Sequence, residues 1–94
     1  MKDYKFYVGE TVTFTVEIRK RLGGNLFDPN SVKITIMFNR NIESPVINSE
    51  GMNKVSDGIY FYDWISNEPG YYDAVYVAID GTKISIGKDN FVIQ

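Results

Sequence analysis

Cysteine and histidine are both absent from this sequence. Without cysteine there is no disulfide framework and no thiolate nucleophile, and without histidine no side chain titrates near neutrality of its own accord. Most nucleophilic, acid/base and soft-metal chemistry is thereby excluded, and the lack of disulfides fits a chain that matures in a reducing compartment. No apolar run approaches the roughly 20 residues that a membrane-spanning helix needs. The opening residues, Met1-Lys2-Asp3-Tyr4-Lys5-Phe6, lack the basic-then-apolar order of a secretory leader, so the expectation is a chain made in the cytoplasm without a signal peptide. A basic surplus is missing too. Ten Lys and Arg against 12 Asp and Glu leave a net charge of −2, which argues against nucleic acid or an anionic membrane as partner.

What is present is apolar and aromatic. Hydrophobic residues make up 44% of the chain and aromatics 15%, far too much for a disordered segment. At 94 residues the chain is expected to form one domain over residues 1–94. Such a domain buries roughly two-thirds of the surface its unfolded chain exposes, enough for a core without staples.

The periodicity is that of strands. From Thr11 to Arg19, Val12, Phe14, Val16 and Ile18 fall on one face and Thr11, Thr13, Thr15, Glu17 and Arg19 on the other. Val32, Ile34, Ile36 and Phe38 alternate in the same way with Lys33, Thr35 and Met37. Lys5 to Val8 reads as a short edge strand, and a second short edge strand is expected around Pro45-Val46-Ile47. Asp57-Gly58 suggests a tight primed turn between Met52–Val55 and Ile59–Ile65. Tyr71 to Ile79 follows as another strand, and Asp80-Gly81 turns the chain into a last one through Ile84 and Ile86 to Phe91 and Ile93, with a bulge or bend expected at Gly87. No segment carries helical periodicity with caps. The reading is an all-β antiparallel sandwich of about seven or eight strands with Val12, Phe14, Val16, Ile34, Ile36, Tyr60, Tyr62, Trp64, Tyr72 and Tyr76 in its core.

Val8-Gly9-Glu10-Thr11-Val12, Asp28-Pro29-Asn30-Ser31-Val32, Gly58-Ile59-Tyr60, Glu68-Pro69-Gly70-Tyr71-Tyr72 and Phe91-Val92-Ile93 together span nearly the whole chain. Their pattern resembles the bacterial and viral immunoglobulin-like domains, close to fibronectin type III and macroglobulin-type sandwiches. The resemblance places Tyr72 where such domains carry a corner tyrosine. It implies a non-catalytic structural or attachment subunit, of the kind found as virion accessory proteins on phage heads or at the head and tail. The alternative it implies is a cell-surface adhesion or carbohydrate-contacting module of a longer exported protein.

Residues with chemical potential are few. Asp63 and Asp73 are the first carboxylate pair to consider for acid/base work, but each is expected on an outward face and on a different sheet. Asp28, Asn30, Asp57 and Asp80 offer hard oxygen ligands without the spacing of a calcium loop, so no metal and no cofactor is expected. Arg19-Lys20-Arg21 reads as a solubilising hairpin tip. With Tyr60, Tyr62, Trp64, Tyr72 and Tyr76 assigned to the core, a sugar-stacking platform would have to use Tyr4, Tyr7, Phe61 or Tyr71. The sharper signal is a strand that is apolar on both faces. Tyr71, Val75, Val77 and Ile79 alternate with Tyr72, Ala74, Tyr76 and Ala78, and Met37 and Val92 are expected on the same outer surface. The face of Met37, Tyr71, Val75, Val77 and Ile79 is therefore the expected interface, for a protein partner or for self-association. Strand propensity alone would also put Val and Ile there.

Overall fold

The computed structural model describes residues 5–19, 24–41 and 43–94. Tyr4, Lys20 and Arg21 lie outside the described residues. The chain is all β, with strands β1 (Lys5–Phe6), β2 (Thr11–Glu17), β3 (Ser31–Phe38), β4 (Ile47–Gly51), β5 (Asn53–Ser56), β6 (Ile59–Ile65), β7 (Gly70–Asp80) and β8 (Lys83–Ile93). One sheet runs β2-β6-β5 and the other β8-β7-β3-β4, with the two-residue β1 added in parallel at the β8 edge. The result is an antiparallel sandwich with the strand order of immunoglobulin-like folds.

The alternation read from the sequence is what packs. Val12, Phe14, Ile34, Ile36, Tyr72, Ala74, Tyr76, Phe91 and Ile93 form the buried cluster between the sheets. Ile34 and Ile36 are fully buried at 0% exposure, each contributing about 1.5–3 kcal/mol by leaving water. Phe91 is the aromatic hub: its ring stacks on Tyr72 at 5.5 Å and meets Phe14, Trp64 and Phe6 edge-on at 5.4, 6.0 and 6.3 Å. Such pairs favour one arrangement of the core beyond simple burial. At the turn into β7, the Tyr72 hydroxyl donates to the Glu68 carbonyl at 2.6 Å, a tie back to the backbone four residues upstream.

Several expectations need correction. Val16, Tyr60, Tyr62 and Trp64 point inward but are only half-buried, because the opposite sheet does not cover them fully. Trp64 still packs on Tyr72 at 5.0 Å. Tyr62 reaches across to the other sheet, its hydroxyl donating to Glu50 Oε2 at 2.7 Å. Tyr60 donates to Asp28 Oδ1 at 3.2 Å. The first strand ends at Phe6 rather than Val8, and β2 ends at Glu17, with Arg19 making only an isolated bridge to Leu26.

The Asp57-Gly58 turn is not the primed type either. Only Gly58 has positive φ, at 75°, and the register slips between Lys54 and Ser56, which is the geometry of a bulged turn. A side chain at Gly58 would meet Leu26 Cβ and Phe27 N at 2.8 Å, so glycine is required for room as well as for φ. The turn after β7 uses Gly81 and Thr82, since Asp80 pairs with Lys83. Finally, there is no bulge at Gly87: β7 and β8 pair without interruption from Asp80–Lys83 to Gly70–Ile93. Phe91 and Ile93 therefore face the core while Ile84 and Ile86, of opposite parity, face out.

Candidate functional site

The outer face of the larger sheet gathers Met37, Tyr71, Val75, Val77 and Ile79, as their parity requires. Its detailed order follows from the register. Val77 lies between Lys33 and Ile86, and Ile79 between Ser31 and Ile84. Ile84 and Ile86 are 63% and 65% exposed, so the two half-buried residues of β7 continue into two open isoleucines on β8. Val75 lies between Thr35 and Lys88. At the other end Tyr71, 72% exposed, stands beside Val92. Between these ends Asp73 is flanked by Met37 and Asn90, with the Arg40 guanidinium 3.9 Å from its carboxylate. The five residues thus share a face but form two apolar ends around a polar middle.

Sequence reasoning did not place Ile84 and Ile86 in this surface. The signal was there: Ile84 and Ile86 differ in parity from Phe91 and Ile93, which demands either a bulge between them or a change of face. The strand is regular, and the face changes.

The outer face of the smaller sheet is less uniformly polar than β2 alone suggests. Beside Thr11, Thr13 and Thr15 on β2 lie Ile65, Asp63 and Phe61 on β6. Ile65 and Phe61 are each set against a threonine and Ile59 against Glu17, whereas Val77–Ile86 and Ile79–Ile84 are apolar pairs side by side. Scattered apolar residues are normal on a surface; contiguous ones are what a covered surface shows.

The remaining candidates do not converge on one site. Asp63 accepts from Thr13 Oγ1 at 2.6 Å on the smaller sheet, and Asp73 belongs to the larger one, so the two carboxylates lie on opposite outer faces. Asp28 is a structural node: Lys54 Nζ, the Gly58 N–H and the Tyr60 hydroxyl all donate to it, at 2.6, 2.8 and 3.2 Å. The lysine contact, then the Gly58 bond, holds its carboxyl below the ordinary range. Lys54 also reaches Asp57 at 3.1 Å, and the two carboxylates, Asp28 foremost, hold its ammonium protonated well above the usual lysine range. Asn30 accepts the Gly81 N–H at 2.6 Å. Asp80 is exposed at the end of β7, and among the described residues no three acidic side chains gather as a metal site would need. Arg19 caps the Gly24 carbonyl at 2.8 Å and touches Glu17 at 3.2 Å. Of the candidate stacking residues, Tyr71 and Phe61 sit on opposite sheets and Tyr7 lies in the loop after β1.

Two shallow clefts of about 340 and 300 Å³ open between β2 and β8, both bordered by Tyr76. Their apolar floor of Val12, Phe14, Val32, Ala78 and Phe91 is already buried. Tyr76 donates to Asp89 Oδ2 at 2.6 Å at their rim, and burial first, with that bond second, pushes its phenol far above the ordinary tyrosine range. No helix is long and apolar enough to cross a membrane among the described residues. No family model matches the chain, and neither the curated proteins nor the solved structures compared with it give a match.

Proposed function

We propose that this protein is a non-catalytic structural or attachment subunit that docks on a larger protein assembly through the outer face of its larger sheet. The observation that carries this reading is the run of adjacent apolar residues Val77, Ile79, Ile84 and Ile86, two of them open to solvent, on an outer face that no further layer covers among the described residues. The resemblance to viral immunoglobulin-like domains suggests a virion as the assembly. The scatter of carboxylates over opposite faces and turns favours binding over catalysis.

The test is co-sedimentation of the tagged chain with large particles from cells that make the assembly. Val77→Lys is expected to remove most of the chain from the particle fraction, because an uncompensated lysine in a desolvated contact is costly. Thr13→Lys, on the threonine-rich face opposite Asp63, is expected to leave it there. Equal behaviour of the two variants, with both folded, would move the docking surface elsewhere.

A further inference from the structure

The edge of the larger sheet offers a second kind of contact, made by the backbone of β8 and sharing Ile84 and Ile86 with the docking face. Among the described residues β8 pairs on its outer side only through Val92 and Ile93, with β1, and Lys83 to Asn90 are exposed along their whole length. Gln94 donates to the Phe6 carbonyl and accepts from the Val8 N–H on that side. Since the direction alternates along a strand, Ile84, Ile86, Lys88 and Asn90 aim their backbone N–H and C=O at the same open edge. A long unpaired edge of this kind is a template for another strand.

We propose that the occupant is the same strand of a second copy, paired antiparallel about a two-fold axis through Ile86 and normal to the sheet. Three observations select this arrangement. First, it sets Lys83 opposite Asp89 twice, on the inner face, where Asp89 Oδ2 accepts from Tyr76 and Oδ1 has no hydrogen-bond partner among the described residues. Second, it sets Ile86 opposite Ile86, so that Val77, Ile86 and their two-fold mates form one apolar row across four strands, while the Lys88 stem lies along Ile84 of the other copy. Third, it is the longest register that clears β1. The partner strand ends with its Lys83 opposite Asp89, whereas centring on Gly87 would carry its turn over Val92 and Ile93, which β1 occupies. A register centred on Lys88 would add a like-charge contact to that collision. A foreign strand is the weaker candidate. Phe6, Val16 and Ile18 in the clefts beneath the edge are half-buried, but most of the apolar lining, Val12, Phe14, Val32, Ala78 and Phe91, is already under a tenth exposed, so inward residues of a donor strand would find little to cover.

The chain has no cysteine, so Ile86→Cys carries the only thiol in the protein. Opposed Cα atoms in such a pair stand about 5.5 Å apart, within reach of a disulfide. Mild oxidation of Ile86→Cys is expected to give a linked dimer much faster than oxidation of Gly87→Cys or Ser85→Cys. In sedimentation equilibrium, Lys83→Glu is expected to weaken the parent dimer by about tenfold or more, because like charges then face each other. Lys83→Glu with Asp89→Lys is expected to recover most of that loss. Both positions are exposed, and a melting curve of each variant checks that the fold is intact. A parent that stays monomeric at hundreds of micromolar, a Gly87 or Ser85 thiol that links as fast as Ile86, or a dimer indifferent to the charge swap would each overturn the proposal. So would a parent monomer that instead takes up an unrelated extended peptide along β8. Co-sedimentation and cross-linking report on the face and the edge separately.

Discussion

The two halves of β8 share one strand and one unbroken ladder with β7, yet they live in different surroundings. Phe91 and Ile93 are buried, flanked by β1 on the edge and by the smaller sheet beneath. Lys83 to Asn90 are exposed at every position, with no described strand on their free edge. Pairing with β7 is thus the same in both halves, and what differs is the cover: the short β1 contact on the edge and burial beneath the smaller sheet. A ladder specifies register; it is the second layer that turns a paired strand into a stable one.

The sharpest way to break this contrast is to remove one large side chain from each half. Phe91→Ala is expected to cost about 3–5 kcal/mol, since it empties the centre of the aromatic cluster. Ile84→Ala, measured on the monomer at low concentration, is expected to change stability by about 0.5 kcal/mol or less. Denaturant titration followed by Trp64 fluorescence compares the two, and near-equal losses would mean that the distal half is buried in solution.

A smaller effect separates two glycines. Gly58→Ala is expected to destabilise by more than about 1 kcal/mol, because φ is positive there and the added methyl meets backbone. Gly87→Ala meets only the Tyr76 ring at an ordinary 3.6 Å and is expected to be neutral or slightly stabilising. The difference in thermal midpoint between these variants measures how little the distal half of β8 constrains its own sequence.

The gentlest probe is alkali. Burial, and then the bond to Glu50, pushes the Tyr62 phenol up to about 12, and Tyr76 is shifted in the same direction by its burial. The unfolded chain loses these protons near pH 10, before the folded one does. Their contribution to stability is therefore complete below about pH 10 and is expected to fall as pH rises from there toward 12. Tyr62→Phe should flatten part of that decline in melting experiments. Unchanged pH dependence would show that the Tyr62–Glu50 tie is absent in solution.

The fold was legible because alternation carries it. Val12 to Ile18 and Val32 to Phe38 announce both their strands and their inner faces, and the Tyr72 corner was what the resemblance to immunoglobulin-like domains implied. Three things were less legible. The half-burial of Tyr60 and Tyr62 depends on how far the opposite sheet extends, which periodicity does not encode. The Asp57-Gly58 turn depends on a register slip that the dipeptide alone does not reveal. The outward set of Ile84 and Ile86 depends on Gly87 being regular rather than bulged, and glycine is compatible with both. The candidate face was legible for β7 and incomplete for β8 for the same reason.

The parallel contact between β1 and β8 has a mechanical consequence. Lys5 lies opposite Val92 and Phe6 opposite Ile93, with both strands running the same way, and Gln94 continues the contact through its bonds to Phe6 and Val8. A tension drawn between the upstream end of β1 and the downstream end of β8 pulls the two strands past each other along their length. The bonds joining them then bear load together, in shear, instead of opening one after another as in an unzipped hairpin. A domain held at both ends within an assembly would meet stretching first at this clasp, and the buried sandwich behind it would stay unloaded until the clasp gave way.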